Sequence, residues 1–115
     1  MSARPFARAA LLAALALPCA QPSVVREGRN VGYESAARSD LDAARALLAK
    51  GDPARAEQVL VRFQSELARS KQADEALYLM GEAQLAKKQP ERAASTWQRL
   101  VESYPKSRFN VDAAM

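Results

Sequence analysis

The sequence predicts an all-α protein: two helical hairpins and the start of a third, preceded by an export segment and a tether. Three observations carry that expectation. Apolar residues recur at three- and four-residue steps over four stretches between Tyr33 and Val101, the spacing that puts them on one face of a helix. Two restarts, Asp52-Pro53 and Gln89-Pro90, stand 37 residues apart. Hydrophobic residues make up 49% of the 115 but aromatics only 6%, so alanine and leucine carry the apolar fraction. Four glycines and six prolines are too few for a loop-rich or fibrous chain. The length accommodates one small domain.

Residues 1–20 have the layout of a secretory signal. Arg4 and Arg8 precede the apolar run Ala9 to Leu17, and Pro18-Cys19-Ala20 follows. A run of this length, at 1.5 Å per residue, falls well short of a hydrocarbon core of roughly 30 Å. Two processing outcomes stay open. Cys19 stands where a bacterial lipoprotein carries its lipidated cysteine, although Ala16 and Pro18 depart from the usual pattern. A cut after Ala20 would release a soluble chain and lower the formal net charge from +4 to +2 by removing both arginines.

Residues 21–32 hold Pro22, Gly28, Asn30 and Gly32 with no sustained apolar period, which reads as a flexible linker. The first helix carries Tyr33, Ala37, Leu41, Ala44, Leu47 and Leu48 and ends at Gly51. Asp52 suits a helix cap and Pro53 a first helical position. The second helix carries Ala56, Val59, Leu60, Phe63 and Leu67. The third starts near Asp74 with Ala76, Leu77, Met80, Ala83 and Leu85. The fourth carries Ala93, Ala94, Trp97, Leu100 and Val101 and closes at Tyr104-Pro105.

Self-comparison at an offset of 37 aligns Ala49-Lys50 with Ala86-Lys87, Pro53 with Pro90, Arg55-Ala56 with Arg92-Ala93, and Arg62 with Arg99. A period in this range, built from helix–turn–helix units, is the mark of a helical repeat. The second unit, 71–107, resembles a tetratricopeptide repeat. Gly81 stands where the first helix lets the second approach, Ala93 is the small residue of the second helix, Trp97 fills the groove and Pro105 ends the unit. The first unit, 33–70, matches less closely, with Ala56 in place but Ala44 at the glycine position and Ala68 at the proline position. Glu75 to Gly81 and Tyr104 to Ser107 also resemble the repeats of an envelope subgroup, that of the Tol-Pal-associated protein CpoB and the outer-membrane assembly lipoprotein BamD.

Val111 to Met115 aligns with Asp74 to Tyr78, so 108–115 reads as the start of a third, incomplete repeat. Stacks of this kind usually need about three units. Three outcomes are open: the short segment caps the second hairpin, another chain completes the stack, or the sequence is the front of a longer protein or enzyme.

The residues argue against catalysis. No histidine is present, which removes the commonest base and the His-activated nucleophiles, and a single cysteine cannot build a zinc cluster. Glu75, Glu82 and Glu91 sit at helical spacing among basic residues, as on a solvated face. The four glycines form no phosphate loop. No cofactor or metal is expected. Basic and acidic residues alternate, as in Arg38, Asp40, Asp42 and Arg45, so nucleic acid is not expected despite a pI near 9.6. What the resemblance implies is protein binding, in the periplasm and anchored to the outer membrane if Cys19 is lipidated. First helices of such repeats line a groove for peptides or helices of other envelope proteins, and self-association is an alternative use. The groove positions implied are Arg38, Leu41, Arg45 and Leu48, then Glu75, Tyr78, Glu82 and Leu85. Tyr78 is the expected anchor. Arg45 and Glu82 would hold a ligand's charges or pair with each other.

Overall fold

The structure is a computed structural model, and residues 23–110 are described. Residues 1–22, which include the segment expected to direct export, and residues 111–115, most of the expected third repeat, lie outside that range. Four helices follow a short ribbon: β1 (Ser23–Arg26), β2 (Arg29–Gly32), α1 (Tyr33–Ala49), α2 (Pro53–Glu66), α3 (Ala73–Ala86) and α4 (Pro90–Ser103). The helices pair as α1–α2 and α3–α4, and α2 packs in turn against α3. This is the expected all-α arrangement of two helical hairpins.

Local chemistry sets the turns. Gly51 takes a positive φ of 79°, and Asp52 then caps α2 by accepting the backbone N–H of Arg55 at 3.2 Å, ahead of Pro53 at the first helical position. The same turn recurs 37 residues later with different residues. Lys88 adopts φ 64°, and Gln89 precedes Pro90 without a side-chain cap. A lysine in this left-handed region carries a steric cost that glycine avoids.

The core forms a continuous seam through Ala37, Leu41, Ala44, Leu60, Phe63, Leu67, Ala76 and Met80. A smaller cluster of Leu77 and Leu100 is covered by Tyr78, Trp97, Tyr104 and Phe109. Packing in the second hairpin depends on Gly81: a Cβ there would lie 2.0 Å from Trp97 Nε1. The indole N–H donates to the Tyr78 carbonyl at 3.1 Å, fixing the ring over the glycine. In the first hairpin the equivalent pair is Ala44 and Leu60, both fully buried. A smaller residue on one helix is matched by a larger one on the other.

Serine ends each repeat in the same way. Ser70 Oγ donates to Glu34 of α1 at 2.7 Å and accepts from Gln72 N at 3.0 Å. Ser107 Oγ donates to Asp74 of α3 at 2.7 Å and accepts from Phe109 N at 3.1 Å. One hydroxyl thus ties the end of a hairpin back to its beginning while shaping the turn that follows.

The segment expected as a linker departs from the sequence reading. Residues 23–32 form an antiparallel β-ribbon, with Val24 opposite Val31 and Arg26 opposite Arg29. Glu27 and Gly28 both have positive φ, 52° and 77°, the two-residue turn whose twist suits a tight hairpin. Val24 and Val31 pack on the main core. Arg26 forks onto Asp40 of α1 through Nε (3.2 Å) and Nη2 (2.8 Å), and pairs with Glu66 of α2 at 2.8 Å.

Two clefts show what the ribbon replaces. One, between α3 and α4, is walled by Phe63, Gln64 and Ala68 of the preceding hairpin and lined by Ala73, Leu77 and Arg99. The other, of α1 and α2, is walled by Arg26, Glu27 and Val31 and lined by Ala36, Asp40 and Arg62. All six pairs are related by 37 residues. The ribbon therefore occupies the place, in the repeat register, of a preceding repeat's second helix.

Candidate protein-binding surface

The first helices α1 and α3 lie side by side, as the groove expectation requires. Arg45 bridges them: its guanidinium pairs with Glu75 of α3 and with Asp42 one turn back at 2.7 Å. The partner of Arg45 is therefore Glu75, not Glu82. Glu75 is only 7% exposed, so it leaves the solvated face assigned to it and becomes a link between the repeats.

The remaining groove residues divide by accessibility. Arg38 is exposed, and Leu85 remains 49% exposed despite its size. Glu82 is half-buried and makes no ion pair among the described residues. Leu41 is fully buried in the core seam, where the α1 stripe of Ala37, Leu41 and Ala44 places it. It is removed from the groove. Tyr78 is half-buried, with its ring 6.4 Å from Trp97 and 5.2 Å from Phe109. Its first role is packing at the end of the second hairpin rather than a freely presented anchor. Cys19 lies outside the described residues.

Two buried carboxylates that the sequence reading passed over hold the scaffold beneath this surface. Asp40, 3% exposed, accepts from both Arg26 and Arg62, the latter at 3.0 Å. The hydrogen bond to Asp40 raises the Arg26 guanidinium further above its ordinary value, against the opposing effect of burial. Glu57 of α2 joins three helices. It accepts from Lys87 at 2.6 Å, Arg92 at 3.1 Å and Gln84 at 3.3 Å, and Gln84 accepts from Thr96 at 2.6 Å. The Lys87 hydrogen bond, helped by Gln84 and the nearby charges, holds the Glu57 carboxyl below its ordinary value although burial opposes it. Asp40 is taken up by two guanidiniums and Glu57 by a lysine, an arginine and an amide, so both read as structural ties.

Among the described residues no group of three His, Cys, Asp or Glu side chains could hold a metal ion. No helix there is long and apolar enough to cross a membrane. Against this geometry, residues 75–107 match the family described as tetratricopeptide repeat. The match covers α3 from Glu75 onward, α4 and the Ser107 turn, and it supports that family for the second hairpin. No curated protein and no solved structure matches the chain.

Proposed function

We propose that the chain is a non-catalytic scaffold that binds other proteins along the α1–α3 face. The observation that carries this is the tetratricopeptide match over a hairpin whose first helix stands beside its repeat-equivalent, joined through Arg45–Glu75. The accessible part of that face, Arg38, Asp42, Glu82 and Leu85, offers mixed charge and one apolar contact. That suits a peptide or helix with alternating charges and an aliphatic residue. The layout of residues 1–20 supports export to a bacterial periplasm, and a lipid on Cys19 would add an outer-membrane anchor. Resemblance of Glu75–Gly81 and Tyr104–Ser107 to envelope repeats is the support for a Tol-Pal or outer-membrane assembly setting.

Site-specific photocrosslinking tests the binding face. A crosslinker at Arg38 or Leu85 is expected to trap the same discrete partner in envelope extracts, and one at Val61 or Val101 on the second helices is not. Equal capture from both faces, or none from Arg38 and Leu85, would overturn the reading. Mass analysis of the mature N-terminus tests export: a diacylated Cys19 or a free Gln21 supports it, and an intact Met1 refutes it.

A further inference from the structure

The two equivalent clefts differ in one chemical respect. In the cleft of about 370 Å³ beside the ribbon, two donors from different elements, Arg26 and Arg62, converge on the Asp40 carboxylate. In the cleft of about 120 Å³ between the helical hairpins, the residue equivalent to Asp40 is Leu77, which has no acceptor. One donor remains in register and a second comes from a neighbouring position, since Phe63 stands where Arg26 stood and Gln64 follows it. Arg99, equivalent to Arg62, is exposed and has no ion-pair partner among the described residues. Gln64, on the wall contributed by α2, has its Nε2 buried with no hydrogen-bond acceptor. Phe63, Leu77 and Tyr104 complete an otherwise apolar lining.

We infer that this cleft is a binding site for an aliphatic carboxylate. The carboxylate supplies the charge that Asp40 supplies in the first repeat, beside the position that Leu77 fills, and accepts from Arg99 and from the Gln64 amide. The aliphatic part lies against Leu77, Phe63 and Tyr104. A cavity of about 120 Å³ holds a group the size of one branched aliphatic side chain, not an aromatic ring system or a nucleotide. Arg99 suits a carboxylate because its planar fork matches two oxygens. The buried amide N–H of Gln64 favours an oxygen acceptor, since leaving it unpaired costs free energy that a bound ligand recovers. The site lies between α2 and the α3–α4 hairpin, away from the α1–α3 face, so it stands independently of the proposed scaffold function.

The test is a nuclear magnetic resonance titration of the 15N-labelled chain Met1–Met115. The probes are 4-methylpentanoate, 4-methylpentanamide and an amidated peptide with an internal Leu-Glu pair. The acid is expected to give saturable shifts at the Gln64 side-chain amide, Ala73 and Leu77, and to bind about tenfold more tightly than its amide. Arg99→Gln, an exposed substitution, is expected to erase that difference while the far-ultraviolet dichroism stays unchanged. Leu77→Asp, which installs the carboxylate of the first repeat, is expected to abolish binding of the acid. The tighter of acid and peptide identifies the source of the carboxylate as a free small molecule or a partner's side chain. Equal binding of acid and amide would overturn the inference. So would no saturable shift at millimolar concentrations, or shifts confined to the α1–α3 face.

Discussion

The two helical hairpins share a path but secure it with different chemistry. The first uses Ala44 against Leu60, a glycine and an aspartate in its connecting turn, and a buried carboxylate clamped by two arginines. The second uses Gly81 against Trp97, a lysine and a glutamine in the same turn, and Leu77 where the carboxylate stood. The repeat constrains the summed volume at a helix crossing and the backbone shape at a turn, and leaves residue identity free to vary. Where the second hairpin gains contact area through tryptophan, it loses tolerance, because nothing larger than hydrogen fits beneath the ring.

The most disruptive way to break the comparison is to exchange its crossings. Gly81→Ala forces the indole out of place and should lower stability by roughly 3 kcal/mol, the upper end for overpacking. Ala44→Gly, the reverse exchange in the first hairpin, should cost only about 1 kcal/mol. Gly81→Ala combined with Trp97→Leu recreates the pair of the first hairpin and should recover part of the loss. Urea melts of these proteins and of Trp97→Leu alone check this, and additivity in the double variant would refute the compensation.

Next in size is the clamp of the first repeat. Asp40→Asn leaves Arg26 and Arg62 facing a neutral group and should cost about 2 kcal/mol, less than a fully dry pair because Arg62 is half-exposed. The ribbon amides should then exchange hydrogen much faster than those of α1. Unchanged exchange across residues 23–32 would show that the valines alone hold the ribbon.

The Glu57 junction is expected to show in the pH profile. Its folded pKa lies below its ordinary value of 4.5, so its contribution is complete above that value and is lost as pH falls through the folded pKa. Glu57→Gln should lower stability by roughly 1–2 kcal/mol at neutral pH and flatten the acid limb below pH 4.5. Melting temperatures between pH 3 and 7 test this, and parallel curves for the two proteins would contradict it. The smallest effect is a gain. Lys88→Gly relieves a positive φ and should add about 1 kcal/mol, with Gln89→Asp adding about half that by supplying the missing cap.

Much of this was legible in residue order. Helix boundaries fell within a few residues because Pro53 and Pro90 mark second helices and apolar residues keep a helical step. Gly81 and Trp97 announced their contact by type and position. The ribbon was not legible, because strands of four residues present too little alternation to register and Glu27-Gly28 looks like any polar break. Asp40 and Glu57 are illegible for another reason: a charged residue on an amphipathic helix ordinarily faces water. Their burial depends on partners 14 to 35 residues away. Leu41 follows Arg38 by three residues, and the helix carries that step into the core stripe rather than along the groove. The Ser70–Ser107 pair is legible in the sequence, standing at the repeat offset of 37.

The ribbon also bears on how such arrays can be engineered. Repeat proteins conventionally close their first face with an entire polar helix. Here two strands, a pair of valines and one guanidinium do the same work on a shorter stretch of chain. Fastening through a buried ion-paired arginine makes the closure depend on the charge of one aspartate more than on ionic strength, since a buried pair is screened far less than an exposed one. Grafted onto another array that offers an aspartate at the Asp40 position, the segment would serve as a compact end piece that can be loosened without unfolding what it covers.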